Sequence, residues 1–87
     1  PKDQDNNAHR KIAINALNDF VLEVDSVLNQ VVVKTTTAAA QVVAEAIDNL
    51  FLDNVIASLA GDNVVLIISS SEEKAKIISK NIENVLG

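Results

Sequence analysis

The stretch Val31–Leu50, VVVKTTTAAAQVVAEAIDNL, changes its hydrophobic period half-way along. The β-branched residues at its start predict a strand over Val31–Thr35. From Ala38 to Leu50 the apolar residues recur every three or four positions, which predicts an amphipathic helix. A strand that leads directly into such a helix indicates a domain that mixes α and β structure.

The residues around this stretch predict three further strands. Alternation from Phe20 to Asp25 predicts a half-buried strand, which a hairpin over Ser26–Gln30 joins to the strand at Val31. Downstream, Val55–Ala60 and Val64–Ile68 are short runs rich in β-branched and aliphatic residues. The tripeptide Gly61-Asp62-Asn63 between them is typical of a turn.

Two more helices are predicted at the ends of the chain. Ala8–Leu17 carries one apolar stripe. Ser70 and Glu73 form a capping-box pattern that begins the last helix. The predicted fold is therefore an α+β two-layer sandwich: a four-stranded, largely antiparallel sheet in a ββαββα core, preceded by a short N-terminal helix. Because apolar residues lie on both sheet faces, we expect both that helix and another subunit to cover the second face.

Composition limits the classes of function. The chain is 48% hydrophobic with only two aromatic residues, so its core must be aliphatic. A net charge of -5 opposes DNA binding by this domain alone. The absence of cysteine excludes disulfides and thiolate metal sites. Without a signal peptide or an apolar run of membrane-spanning length, we expect a cytoplasmic protein without a membrane partner.

The first residues of the chain differ in composition from the rest. Residues 1–7, PKDQDNN, have no apolar partner and predict a linker or disordered tail, so the domain is expected over residues 8–87. A linker-like start also leads us to expect something attached upstream.

No catalytic or metal-binding constellation is visible. The single histidine, His9, lies near the start of the chain without a partner acid or nucleophile, and Ser69–Ser71 is better explained as a helix cap. We therefore predict that the protein is not an enzyme and needs no cofactor.

One polar group is a candidate ligand site. Gln41 and Asp48 are seven residues apart on the same helix, with Glu45 between them, so they project from nearly the same side. Asp62 and Asn63 lie at the predicted hairpin tip. A carboxylate and an amide at this tip, facing Gln41 and Asp48, would suit a ligand with ammonium or guanidinium groups. A solvated helix face and an ordinary turn explain the same residues.

The stretch Val31–Leu50 and the segment NVIASLAGDNVVLII that follows it resemble the C-terminal domain of the arginine repressor family. That family has a strand ending in Thr, then Pro-Gly, then Ala-Gln at the start of a helix that carries an Asp. A Gly-Thr-Ile-x-Gly-Asp-Asp-Thr signature follows. The matching positions in this chain are Thr35, Ala40, Gln41, Asp48, Gly61 and Asp62. The resemblance covers about residues 8–87.

The resemblance implies an effector-binding and oligomerisation domain of an arginine-responsive transcriptional regulator. It implies a trimer, two of which stack into a hexamer, with the effector L-arginine bound between the trimers. Gln41, Asp48 and Asp62 are then the ligand-binding residues. Operator DNA would be bound by an N-terminal winged-helix domain that these 87 residues do not contain.

Four departures from the family pattern lie in or beside the effector motif. Thr37-Ala38 replaces the family's Pro-Gly, and Ala57-Ser58 replaces its Gly-Thr. Asn63 replaces the second Asp of the signature, and Val64 replaces the Thr after it. Asn63 in particular implies weakened L-arginine binding. The alternative function is a structural assembly module of a divergent paralogue, which forms trimers or mixed hexamers without a ligand.

Overall fold

Three helices and four strands make up the fold in a computed structural model, which describes the backbone of residues 2–87 and the side chains of residues 8–87. The elements are α1 (Lys2–Phe20), β1 (Val21–Val27), β2 (Gln30–Thr35), α2 (Ala40–Asn49), β3 (Ala57–Ala60), β4 (Val64–Ile68) and α3 (Glu72–Val85). The predicted α+β class and ββαββα order are confirmed.

The four strands form one antiparallel sheet in the order β1-β2-β4-β3. A two-residue turn, Leu28-Asn29, joins β1 to β2, and Leu28 has a φ of 54°. The central pair, β2 and β4, aligns Val33 with Val65. Strand β3 is shorter than predicted, because the segment after α2 first makes turns in which two residues have positive φ.

The core is aliphatic, as predicted. The inner sheet face meets the apolar stripes of the helices, and the buried apolar side chains are all Ala, Val, Leu or Ile. Its fully buried members of largest volume are Leu17, Val31, Val33, Val43, Ile47, Val65, Ile67, Ile78 and Ile82. Burial of each such Val, Leu or Ile side chain contributes roughly 1.5–3 kcal/mol. Phe20 is half-buried, and Phe51 is 80% exposed.

Helix α1 is longer than predicted at both ends and lies in the helical layer. Ala13 and Leu17 are buried in the shared core, and a groove lined by residues of α1 and α2 runs between the two helices. The expectation that α1 covers the second sheet face is therefore wrong. Its apolar stripe packs against α2, where the small side chain of Ala46 allows a close approach.

The predicted linker falls mostly on residues whose side chains lie outside the described part of the chain. The backbone of residues 2–7 is helical and continues α1. The domain boundary at residue 8 stays a prediction.

Asn18 joins the end of α1 to the end of α3. Its Nδ2 donates to the carbonyl oxygens of Ile14 (2.9 Å) and Val85 (3.2 Å), and its Oδ1 accepts from the backbone N–H of Gly87 (2.7 Å). We call this set of hydrogen bonds the Asn18 clamp.

Helix α3 begins one residue later than the capping-box pattern indicated. Its N-cap is Ser71, whose Oγ accepts a hydrogen bond from the Lys74 backbone N–H (3.1 Å). Ser69 is buried instead, and its Oγ donates to the Asn29 carbonyl (2.8 Å) at the β1–β2 turn. The serine run thus ties the turn to the start of α3 as well as capping the helix.

The sheet face opposite the helices, which we call the open face, is uncovered in the described part of the chain. Its side chains form three rows across the strands, set by the strand register. The rows are Val27, Gln30, Ile68 and Ala57; Asp25, Val32, Leu66 and Leu59; and Glu23, Lys34 and Val64. The two rows nearest the β1–β2 turn are largely apolar, whereas the third carries an exposed ion pair between Glu23 and Lys34 (3.6 Å).

Ala38, in the connection between β2 and α2, has a φ of 65°. A left-handed conformation costs an L-residue about 1–2 kcal/mol, and glycine avoids most of that cost. After the larger unfolded-state entropy of glycine is subtracted, we expect Ala38→Gly to raise the free energy of unfolding by about 0.5–1 kcal/mol. Urea denaturation measures it. Ala44→Gly, within α2, should lower the same quantity by about 1 kcal/mol. If Ala38→Gly lowered the free energy of unfolding, the backbone at Ala38 would not be strained.

Candidate functional site

Helix α2 presents the predicted polar residues on one exposed flank. Its buried residues are Ala40, Val43, Ala46 and Ile47, and these face the core and α1. Gln41, Glu45 and Asp48 are exposed on the remaining surface. At 1.5 Å per residue, Gln41 and Asp48 lie about 10 Å apart along the helix axis. A single ligand that touches both must therefore be extended along α2.

The β3–β4 hairpin tip folds over the connection between β2 and α2. The tip is closed by a bond from the Gly61 N–H to the Val64 carbonyl (2.8 Å), and the Asn63 carbonyl accepts from the Thr35 N–H (2.9 Å). These bonds hold the tip beside the first turn of α2.

Asp62 contacts this connection through both its backbone and its side chain. Its carbonyl accepts from the Ala40 N–H (3.2 Å), and its Oδ2 accepts from the Ala38 N–H (3.4 Å). Asp62 is thereby placed one residue from the backbone of Gln41. Sequence reasoning expected the tip to face both Gln41 and Asp48, whereas it lies at the Gln41 end of α2 alone.

Asp48 lies at the other end of α2, on the rim of a pocket of about 160 Å³. The lining residues are Ile47, Asp48, Phe51, Leu52 and Val55. Phe51 has a φ of 52° and comes directly after Leu50, the C-cap residue of α2. Sequence reasoning missed this apolar wall, and the one available signal was an aromatic residue in a chain that has only two.

The flank and the tip are acidic. Glu45, Asp48 and Asp62 are all exposed. Among the side chains from residue 8 onward, the ion pairs are Glu23 with Lys34 and Glu72 with Lys76, and neither lies on α2 or the tip. The site therefore favours a cationic group over an anionic one.

The described residues carry neither a metal-binding cluster nor a membrane-spanning helix. Within them, no group of three or more His, Asp or Glu side chains could hold a metal ion. None of the helices there is long and apolar enough to cross a membrane.

The sequence model described as "Arginine repressor, C-terminal domain" matches residues 17–84. The chain belongs to this family. Membership confirms the resemblance and places the chain among domains of transcriptional regulators rather than among enzymes.

Three curated relatives are named arginine repressor. The protein from Clostridium acetobutylicum is 48% identical over 66 residues, which are 76% of this chain and 44% of the relative. The protein from Clostridium novyi is 36% identical over 73 residues, 84% of this chain and 48% of the relative. The protein from Acidobacterium capsulatum is 38% identical over 71 residues, 82% of this chain and 48% of the relative. The chain thus spans about half the length of these relatives.

Proposed function

We propose that this domain binds L-arginine as an effector and sets the oligomeric state of a cytoplasmic transcriptional regulator. Operator DNA would be bound by a separate domain of the same protein. The relatives' shared name, arginine repressor, supports the effector. The net charge of -5 supports the assignment of DNA binding to another part of the protein.

The observation that best supports a ligand with a guanidinium group is the exposed Asp48, which lines an apolar pocket. A guanidinium group is planar and pairs with carboxylates through charge-assisted, often bidentate hydrogen bonds. The methylene groups of arginine would pack against the wall that Phe51 and Leu52 provide. The Gln41 amide, about 10 Å along α2, would bind the other end of an extended ligand.

The open face supports assembly. Two of its three rows are largely apolar, and Leu59 and Val27 are 66% and 52% exposed. Monomeric proteins rarely leave a contiguous apolar surface of this kind uncovered. We propose that copies of the chain bury this face in a trimer and that two trimers form a hexamer. L-arginine bound on α2, on the other side of the sheet, would lie between the two trimers.

Calorimetric titration of the chain with L-arginine tests the proposal. L-citrulline is the matched control ligand, because a neutral urea group replaces the guanidinium in a side chain of similar size. We expect saturable heat with L-arginine and at least about tenfold weaker binding of L-citrulline, since the charge-assisted bond is lost. Sedimentation velocity with and without L-arginine should show a larger assembly with it. No heat at millimolar L-arginine would contradict the effector assignment.

Asn63→Asp is expected to strengthen L-arginine binding about tenfold to hundredfold, because a charge-assisted contact replaces a neutral one. The backbone carbonyl of residue 63, which accepts a hydrogen bond from the Thr35 N–H, is unchanged by the substitution. The added carboxylates would repel one another in the ligand-free assembly and loosen it. Calorimetry and sedimentation velocity measure both effects. Asn84→Asp, an equal change of charge on α3, is the control, and an equal response from it would refute a local role for residue 63.

A further inference from the structure

We infer that Phe51 of one copy packs into the groove between α1 and α2 of a second copy, and that this reciprocal contact joins the two trimers. The contact rests on the proposed assembly, in which α2 faces the other trimer. The open face, which would form each trimer, takes no part in it.

Phe51 has two features from which an isolated chain gains nothing. Its φ of 52° is a left-handed conformation that the end of a helix usually gives to glycine. Its ring is 80% exposed. Backbone strain of this kind is concentrated at functional positions, and aromatic side chains are enriched at protein interfaces. The ring therefore marks a surface on which a partner packs.

The groove between α1 and α2 is a mainly apolar hollow of suitable size. The apolar residues that line it are Ile12, Ala13, Ala16, Val42 and Ala46. Its volume is about 160 Å³, and a cavity of about 150 Å³ accommodates benzene. The groove is therefore large enough for one phenyl ring. The ring of the same chain does not fill it, because Phe51 lines the other pocket, beside Asp48.

The groove and Phe51 lie on opposite sides of the exposed flank of α2. Val42 and Asn49 mark the groove side, whereas Ile47 and Asp48 mark the Phe51 side. A two-fold axis through the flank, perpendicular to α2, reverses the direction of the helix and exchanges its two sides. The ring of each copy is thereby brought to the groove side of the other, towards Val42. The surface is self-complementary, as a two-fold interface requires.

The area that these contacts would bury is that of a stable interface. A phenylalanine side chain buries roughly 150–250 Å², and most of the Phe51 side chain is free to be covered. Because the contact is repeated on every copy, the rings and groove walls of a hexamer would together bury roughly 1,500–2,400 Å². A standard interface buries about 1,600 Å². The polar flank of α2 would then need to supply little apolar contact.

Sedimentation equilibrium of the whole chain, with L-arginine present, tests the contact at the step from trimer to hexamer. Phe51→Gly removes the ring and suits the left-handed backbone, so the fold is kept. Leu28→Gly is the matched control, because Leu28 is also an exposed residue with a positive φ, in the β1–β2 turn. Ile12→Ala and the double variant Phe51→Gly/Ile12→Ala complete a double-mutant cycle. Within one chain the two residues line different pockets.

We expect Phe51→Gly to weaken the association of trimers at least about a hundredfold, and Ile12→Ala at least about tenfold. The double variant should be within about twofold of Phe51→Gly, because the ring that Ile12 would contact is already absent. Leu28→Gly should leave the association of trimers unchanged, and each of these variants should still form the trimer.

An unchanged association of trimers in Phe51→Gly would overturn the inference. So would effects of Phe51→Gly and Ile12→Ala that simply multiply, since a loss caused by weaker ligand binding would not depend on Ile12. If the unmodified chain stops at a trimer with L-arginine present, this contact is wrong, and the open face keeps its proposed role. A monomeric unmodified chain would contradict the whole proposed assembly, this contact included.

Discussion

We expect Leu17→Ala to lower the free energy of unfolding by about 2–5 kcal/mol, which is a large part of the total stability of a domain this small. Leu17 is fully buried in the core that the sheet and helices share. Truncation removes apolar contacts from α1 and leaves a cavity that the neighbouring side chains fill only in part. The effect should be large because α1 is a component of the core.

Urea denaturation of Leu17→Ala, compared with Leu22→Ala, tests this expectation. Leu22 lies five residues further along the chain, on β1, and is 69% exposed, so its truncation should change the free energy of unfolding by less than about 0.5 kcal/mol. Equal effects from the two substitutions would mean that α1 is only loosely attached to the rest of the domain.

The second large effect is expected at the open face. Leu66 lies in its middle row, opposite Val32 on one side and Leu59 on the other. In the proposed assembly, Leu66→Asp would bury an unpaired carboxylate, which costs about 3–5 kcal/mol and weakens association about a hundredfold or more. Aspartate is too short to reach solvent from the centre of the face. We therefore expect the variant to be monomeric at micromolar concentration.

Sedimentation equilibrium of Leu66→Asp and Ile77→Asp tests whether a loss of assembly is specific to the open face. Ile77 is an exposed aliphatic residue on α3, in the helical layer, so its replacement adds the same charge away from the open face. The unmodified chain and Ile77→Asp should sediment as a trimer or hexamer. If the unmodified chain is a monomer at high concentration, the proposed role of the open face is wrong.

Some elements could be predicted because neighbouring residues determine them. The run Val64–Ile68 is bounded by a turn and a serine, and β4 has these same bounds. The period of the helix predicted over Ala38–Leu50 identified α2, although two residues were added at its start. Those residues, Ala38 and Ala39, belong instead to a connection with a positive φ, which alanine gives no reason to expect.

The position of α1 could not be predicted in this way. The stripe that contains Ala13 and Leu17 would fit either sheet face, and the choice depends on contacts with α2, which are distant in sequence. The same contact buries Ala46 of α2.

The candidate site also has features that neighbouring residues predict and features that depend on distant contacts. A spacing of seven residues was enough to place Gln41 and Asp48 on one flank, because helical geometry fixes that relation. The contact of Asp62 with Ala38 depends on how one hairpin folds over a distant connection. The pocket beside Asp48 depends on the backbone at Phe51, whose positive φ has no sequence signature.

The Asn18 clamp makes α1 a lever. The half of α1 nearest the clamp is anchored in the core, whereas residues 8–12 are exposed and touch the body little. From Ala13, which is buried in the core, to Lys2 the helix is about 16 Å long, so a tilt of about 10° about Ala13 moves the far end by about 3 Å. Because α1 packs on the helix that carries Gln41 and Asp48, a small shift of α2 would be magnified along α1.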